Sequence, residues 1–176
     1  ETNGQGILPT PVIGMVGIID EVENSLGISA ENNNTLIILG QHEDFIEGWL
    51  GCSLYQEIVT DDFDGAPPPI NLNAEKKIID MMLTLNDNNL LTGAHDISDG
   101  GLLTAICEML FENNLGLNVN LPKALLSSKT KDHLIHSWCF GENQGRIIIS
   151  TNKTDEVVSL LKNYLIAVSY THLTLP

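Results

Sequence analysis

Basic side chains are scarce in this chain. Eight lysines and arginines face 23 aspartates and glutamates across 176 residues, a formal charge of −15, and the pI is near 4.4. A surface of that sign repels phosphate backbones and argues against nucleic acid as a partner. It leaves open a small phosphorylated ligand, because backbone amides at a helix start or a bridging Mg2+ hold phosphate without a lysine. Cysteine is scarcer still. Cys52, Cys107 and Cys139 are widely spaced, with no C-x-x-C, which points to reduced thiols rather than a zinc site or a disulfide framework. No stretch approaches the roughly 18–20 consecutive apolar residues of a bilayer span. "ETNGQG" at the start lacks the basic and apolar regions of a secretory signal. These absences predict a soluble, cytoplasmic chain without membrane contact. G-x-S-x-G, H-E-x-x-H, the Walker A loop and the dinucleotide fingerprint are missing too, so the chemistries they serve are not indicated.

What remains is the composition of a globular domain, 43% hydrophobic with 15 glycines and 7 prolines, enough for one core. "PVIGMVGIID" (11–20) is β-branched and apolar and predicts a largely buried strand. "LIILG" (36–40) predicts a second strand, and "GCSLYQEIV" (51–59) a short helix. The three prolines of "DDFDGAPPPINLN" (61–73) impose a loop. Ile78, Ile79, Met82 and Leu85 then follow a helical period, with Asn73 as N-cap and "NDNN" (86–89) as the stop. "LLTGAHD" (90–96) predicts a strand. Leu102, Ala105, Ile106, Met109 and Leu110 form one apolar helix face. "LGLNVNL" (115–121) alternates like a half-exposed strand, "KTKDHLIHSW" (129–138) reads as a weaker helix and "RIIIS" (146–150) as a buried strand. Thr154 would cap a last helix carrying Val157, Val158, Leu160 and Leu161 inward. Strands alternating with helices predict an α/β domain with at least partly parallel pairing. Residues 167–176 show no helical period and are set aside as a non-native tail.

Two stretches carry candidate chemistry. In "GAHDISDGG" (93–101) a strand ends at His95 and Asp96, and a turn through Ser98, Asp99, Gly100 and Gly101 opens a helix. Such a turn offers backbone N–H groups to an anion, and Asp96 and Asp99 offer carboxylates to a metal that neutralises it. The plainer reading is that Ser98 or Asp99 caps the helix and the glycines make the turn, and caps are far the commoner feature. Adjacent on a strand, His95 and Asp96 should face opposite ways. In "GENQGR" (141–146) the polar Glu142, Asn143 and Gln144 stand between two glycines, and Arg146 offers a fork for a carboxylate or phosphate; the alternative is a polar loop with a surface ion pair. "DDFDG" fails as a calcium loop, with Ala66 where glycine is needed and Leu72 where glutamate should bind. His133 and His136 stand three apart without a third ligand, as expected of a wet helix face.

Taken together, "ILPTPVIGMVGIID" (7–20), "LGCSLY" (50–55), "GAPPPINL" (65–72), "GAHDISDGGL" (93–102) and "FGENQGRIIIS" (140–150) resemble the phosphoribosylformylglycinamidine synthase family, synthetase subunit of the small bacterial type. The likeness runs from Glu1 to about Asn163. "HDISDGG" alone would also suit aminoimidazole ribonucleotide synthetase, selenophosphate synthetase or the hydrogenase maturation factor of that superfamily. The resemblance implies an α/β/α layered C-terminal domain with a mixed sheet. Residues 1–20 would end a second ATP-binding N-lobe, 21–165 would form the second C-terminal lobe, and 166–176 would be the tail. It implies an ATP- and Mg2+-dependent carbon–nitrogen ligase that activates the formyl amide oxygen of formylglycinamide ribonucleotide for attack by ammonia. The implied partners are a glutamine amidotransferase subunit, a small bridging subunit and the first half of the synthetase's own chain. Asp96 would be a copy of a metal ligand. Ser98, Asp99, Gly100, Gly101, Glu142, Asn143, Gln144 and Arg146 would copy a phosphate- or substrate-binding set in a half with a mainly architectural role. With the catalytic histidines in the other half, this piece alone should be inactive. A docking lobe with an acidic surface, or a different synthetase of the superfamily, are the alternatives.

Overall fold

The computed structural model describes residues 4, 12–40, 48–61, 64–119, 121, 125, 131–163 and 168–169. The elements run β1 (Thr35–Leu39), α1 (Leu54–Thr60), α2 (Leu72–Asp87), β2 (Gly93–Asp96), α3 (Gly101–Phe111), α4 (Lys131–Phe140), β3 (Ile147–Thr151), α5 (Thr154–Asn163) and β4 (Val168–Ser169). The sheet order is β2-β3-β1-β4. Because strand side chains alternate, β1 feeds both faces. Leu36 and Ile38, with Ile148 of β3, meet Leu102, Ala105, Ile106, Met109 and Leu110 of α3 and Trp138 of α4. Ile37, Leu39 and Ile149 meet Ile78, Met81 and Leu85 of α2 and Val157 and Leu161 of α5. Two helical layers thus cover one sheet, the expected α/β/α arrangement.

The sense of pairing differs from expectation. Every ladder among the described residues is antiparallel: β1 with β3, β1 with β4, and β2 with β3. β1 and β2 do run the same way, as a helical crossover demands, but β3 lies between them. Among the described residues α3 and α4 lie between β2 and β3, and the chain re-enters the sheet from the opposite end. Asn34, just before β1, ties the three strands together. Its Nδ2 donates to Thr92 Oγ1 at 2.7 Å and to Ser150 Oγ at 3.1 Å.

Local signals explain most boundaries. Ser53 caps α1, accepting from Gln56 N at 3.1 Å. The cap of α2 is Asn71 rather than Asn73, accepting from Ala74 N at 3.1 Å. The first turn buries nothing, so the apolar period gives no hint of it. α5 begins at Thr154 itself, whose hydroxyl bonds Thr35 Oγ1 at 2.8 Å. Residues 115–119 do alternate in burial, with Leu115, Leu117 and Val119 against the α3 side of the core. They form no ladder, so the period is real but the strand is not. The expected strand at 11–20 is also absent from the described residues 12–20: Val12, Ile13, Met15, Val16 and Ile18 are each at least 83% exposed. An apolar β-branched run without a neighbouring strand has nothing to bury either face against. Of the residues set aside as a tail, Val168 and Ser169 pair with Leu39 and Ile38, while 170–176 lie outside the described residues. Among the described residues no helix is long and apolar enough to cross a membrane.

Candidate functional site

The C-terminal end of β2, the start of α3 and the approach to β3 meet at a cavity of about 720 Å³. Asp96, Ile97, Ser98 and Asp99 supply one wall and Glu142, Gln144, Gly145 and Arg146 another. The two candidate stretches, more than forty residues apart in sequence, therefore belong to one site. Gly51, Cys52, Pro67, Pro68, Glu75, Ile78, Ile79 and Ile147 complete the lining; sequence reasoning did not place them at a site. The proline loop, a breaker and a family motif in the sequence, also reaches the cavity through Pro67 and Pro68.

Three backbone amides at and beside the turn are committed within the fold. Ile97 N donates to Arg146 O at 2.9 Å and Gly101 N to Ser98 O at 3.0 Å. Gly100, not Ser98 or Asp99, is the N-cap of α3, and no side chain of its own makes the cap bond. Its N–H donates instead to Glu142 Oε1 at 2.9 Å. The same oxygen accepts from Leu54 N, the first amide of α1, at 2.9 Å. Gly100 and Gly101 both have left-handed backbone, φ 77° and 72°. A side chain on Gly101 would lie 2.5 Å from the carbonyl carbon of Phe140, so glycine is required where α3 starts against α4.

Asn143 and Arg146 are also engaged internally. Asn143 Oδ1 accepts from Trp49 N at 2.8 Å, and Glu142 N donates to Trp49 O at 2.9 Å. Arg146 is buried and donates through Nη2 to Gly141 O; it is not the surface ion pair of the plainer reading. Asp96 sits at the end of β2 with 71% of its side chain exposed, and its Oδ1 lies 3.2 Å from His95 Nδ1. The two do meet, against the expectation from strand alternation, at the last residue of β2. His95 Nε2 lies 3.0 Å from Glu108 Oε2 on α3. Among the described residues no three His, Cys, Asp or Glu side chains gather as a metal cage. His136 contacts the Tyr55 hydroxyl, and Tyr55 stacks on Phe140 with ring centres 5.0 Å apart.

Residues 31–169 match the family described as AIR synthase related protein, C-terminal domain. The phosphoribosylformylglycinamidine synthase subunit PurL of Azorhizobium caulinodans is 42% identical over 161 residues, covering 90% of this chain and 20% of the relative. That of Rhodopseudomonas palustris strain HaA2 is 39% identical over 163 residues, covering 92% and 20%. The chain thus spans about a fifth of the length of the curated relatives it matches. Among solved structures, Thermotoga maritima PurL complexed with FGAR superposes with a TM-score of 0.61 at 20% identity, covering 84% of this chain and 25% of that one. The same protein complexed with ATP gives 0.57 at 19% identity over 84% and 23%. The PurLQS structure from that organism gives 0.56 at 20% identity over 86% and 24%. At these identities the superpositions speak for the fold.

Proposed function

Because the chain belongs to the family of AIR synthase related proteins through their C-terminal domain, we propose that it serves as a C-terminal lobe of a phosphoribosylformylglycinamidine synthase. The observation that carries this reading is the 42% identity to a PurL subunit over 161 residues, a span that includes the turn at 93–101 and the segment at 141–146. The parent would be an amidine-forming ligase of purine synthesis, converting formylglycinamide ribonucleotide with ATP and ammonia in the cytoplasm. Its partners would be a glutamine amidotransferase subunit and a bridging subunit; the assembled PurLQS relative supports that choice. ATP and Mg2+ would be held mainly by parts of the parent beyond this chain. Within the lobe, Asp96, Ser98, Asp99 and Gln144 face the cavity, while Gly100, Gly101, Glu142, Asn143 and Arg146 chiefly hold its walls together. The role is architectural, and residues 1–176 alone should not turn over substrate.

A chimera tests this. The corresponding segment of the Azorhizobium PurL is replaced by this chain and the product introduced into a purine-requiring strain lacking the subunit. Growth without purine, together with amidine formation by the purified chimera and none by the chain alone, is the expected result. A folded, assembled chimera without activity would overturn the assignment.

A further inference from the structure

The turn at 98–101 resembles an anion cradle in sequence, and in the fold an anion is already there. Glu142 Oε1 lies 2.9 Å from the amide nitrogens of both Gly100 and Leu54. The first amides of a helix have no partner within it and carry the positive end of its dipole, so a carboxylate held there is favoured over water. Charge-assisted bonds of this kind are about twice as strong as neutral ones. Two neighbouring amides are also engaged, Ile97 N with Arg146 O and Gly101 N with Ser98 O. Glu142 cannot drift away easily. Its own amide is tied to Trp49 O, and its neighbour Asn143 accepts from Trp49 N. Among the described residues lining the cavity, the other charged groups are the acidic Glu75, Asp96 and Asp99 and the cation Arg146, which is buried and donates to Gly141 O.

We propose that Glu142 is the specificity-determining residue of this cavity: its carboxylate serves as a built-in anion that clamps α1 to α3 and denies the turn to phosphate. The inference rests on the architectural reading above for its meaning, but its geometry is this chain's own. Its test uses residues 1–176 alone, so its failure and that of the proposed parent activity are separately visible.

Two measurements on the unaltered chain come first. Hydrogen exchange at the Gly100 and Leu54 amides should be slowed by at least about tenfold relative to the unfolded chain. Titration with millimolar inorganic phosphate should leave both amide resonances unmoved, compared with chloride at equal ionic strength. Then Glu142→Ala should lower Tm by about 5–10 °C through loss of two charge-assisted bonds. Glu142→Gln, which keeps an acceptor oxygen at the same reach, should lose less than half as much. Fast exchange at either amide, a phosphate-dependent shift of Gly100 in the unaltered chain, or an Ala variant as stable as the parent would each overturn the proposal. If Glu142→Ala does not fold, the exchange and titration data decide alone.

Discussion

Replacing Gly101 with alanine should be among the most damaging single-methyl changes available in this chain. Two costs combine. The backbone there is left-handed, φ 72°, which adds roughly 1–2 kcal/mol for a residue with a Cβ. The new methyl would also sit 2.5 Å from Phe140 C, 2.7 Å from its Cα and 2.8 Å from Gly141 O. All three are backbone atoms with no rotamer to yield, and overpacking of that sort costs roughly 1–3 kcal/mol. The sum is about 2–5 kcal/mol, a large share of the roughly 5–15 kcal/mol that holds a domain together. Urea unfolding followed by tryptophan fluorescence reads it directly, since Trp138 is buried on α4. Gly27→Ala is the matched control: nothing lies within 4 Å of its added methyl, and the expected change is under about 0.5 kcal/mol. A Gly101→Ala variant within 1 kcal/mol of the control would refute the claimed contact between the start of α3 and the end of α4.

Met109, fully buried between α3 and the sheet, should cost about 2–5 kcal/mol when cut to alanine, measured by the same urea titration. Ser53→Ala removes the cap of α1 and a hydroxyl that also donates to Leu50 O at 2.6 Å; a loss of about 1 kcal/mol is expected, with exchange accelerated at Gln56 N rather than across the sheet. Burial raises the pKa of the half-buried Cys139 thiol, so iodoacetamide should modify it slowly at neutral pH and faster only as pH climbs past the ordinary thiol range. The sign for stability follows: a raised pKa in the fold means the contribution is complete below the unfolded value and disappears as pH rises through the folded one. Equal alkylation rates in native buffer and in urea would contradict that placement.

Much of this fold was legible because it is written in short-range periods. All five residues assigned to the apolar face of α3, from Leu102 to Leu110, are buried, and "LIIL" is a strand buried on both sides. The cavity was half legible, since both polar stretches were marked by their glycines. That they converge was not. The clamp made by Glu142 joins residues 42 and 88 positions away, whereas a capping box is readable only when its members stand three apart. Residues 12–19 show the opposite failure. Their composition asks for a sheet, but composition cannot say whether a neighbouring strand is at hand, and none among the described residues is.

The place of β3 sets the order in which this chain can assemble during synthesis. Thr35 faces Thr151, and Gly93 faces Ser150, so the middle strand is the third of the four to leave the ribosome. Until it emerges, β1 and β2 have no common neighbour, and their ladder groups stay open to water or to chaperones. A nascent polypeptide halted before Ile147 should remain protease-sensitive throughout, and resistance should arrive only once β3 and the α5 residues Val157 and Leu161 that cover it have cleared the exit tunnel.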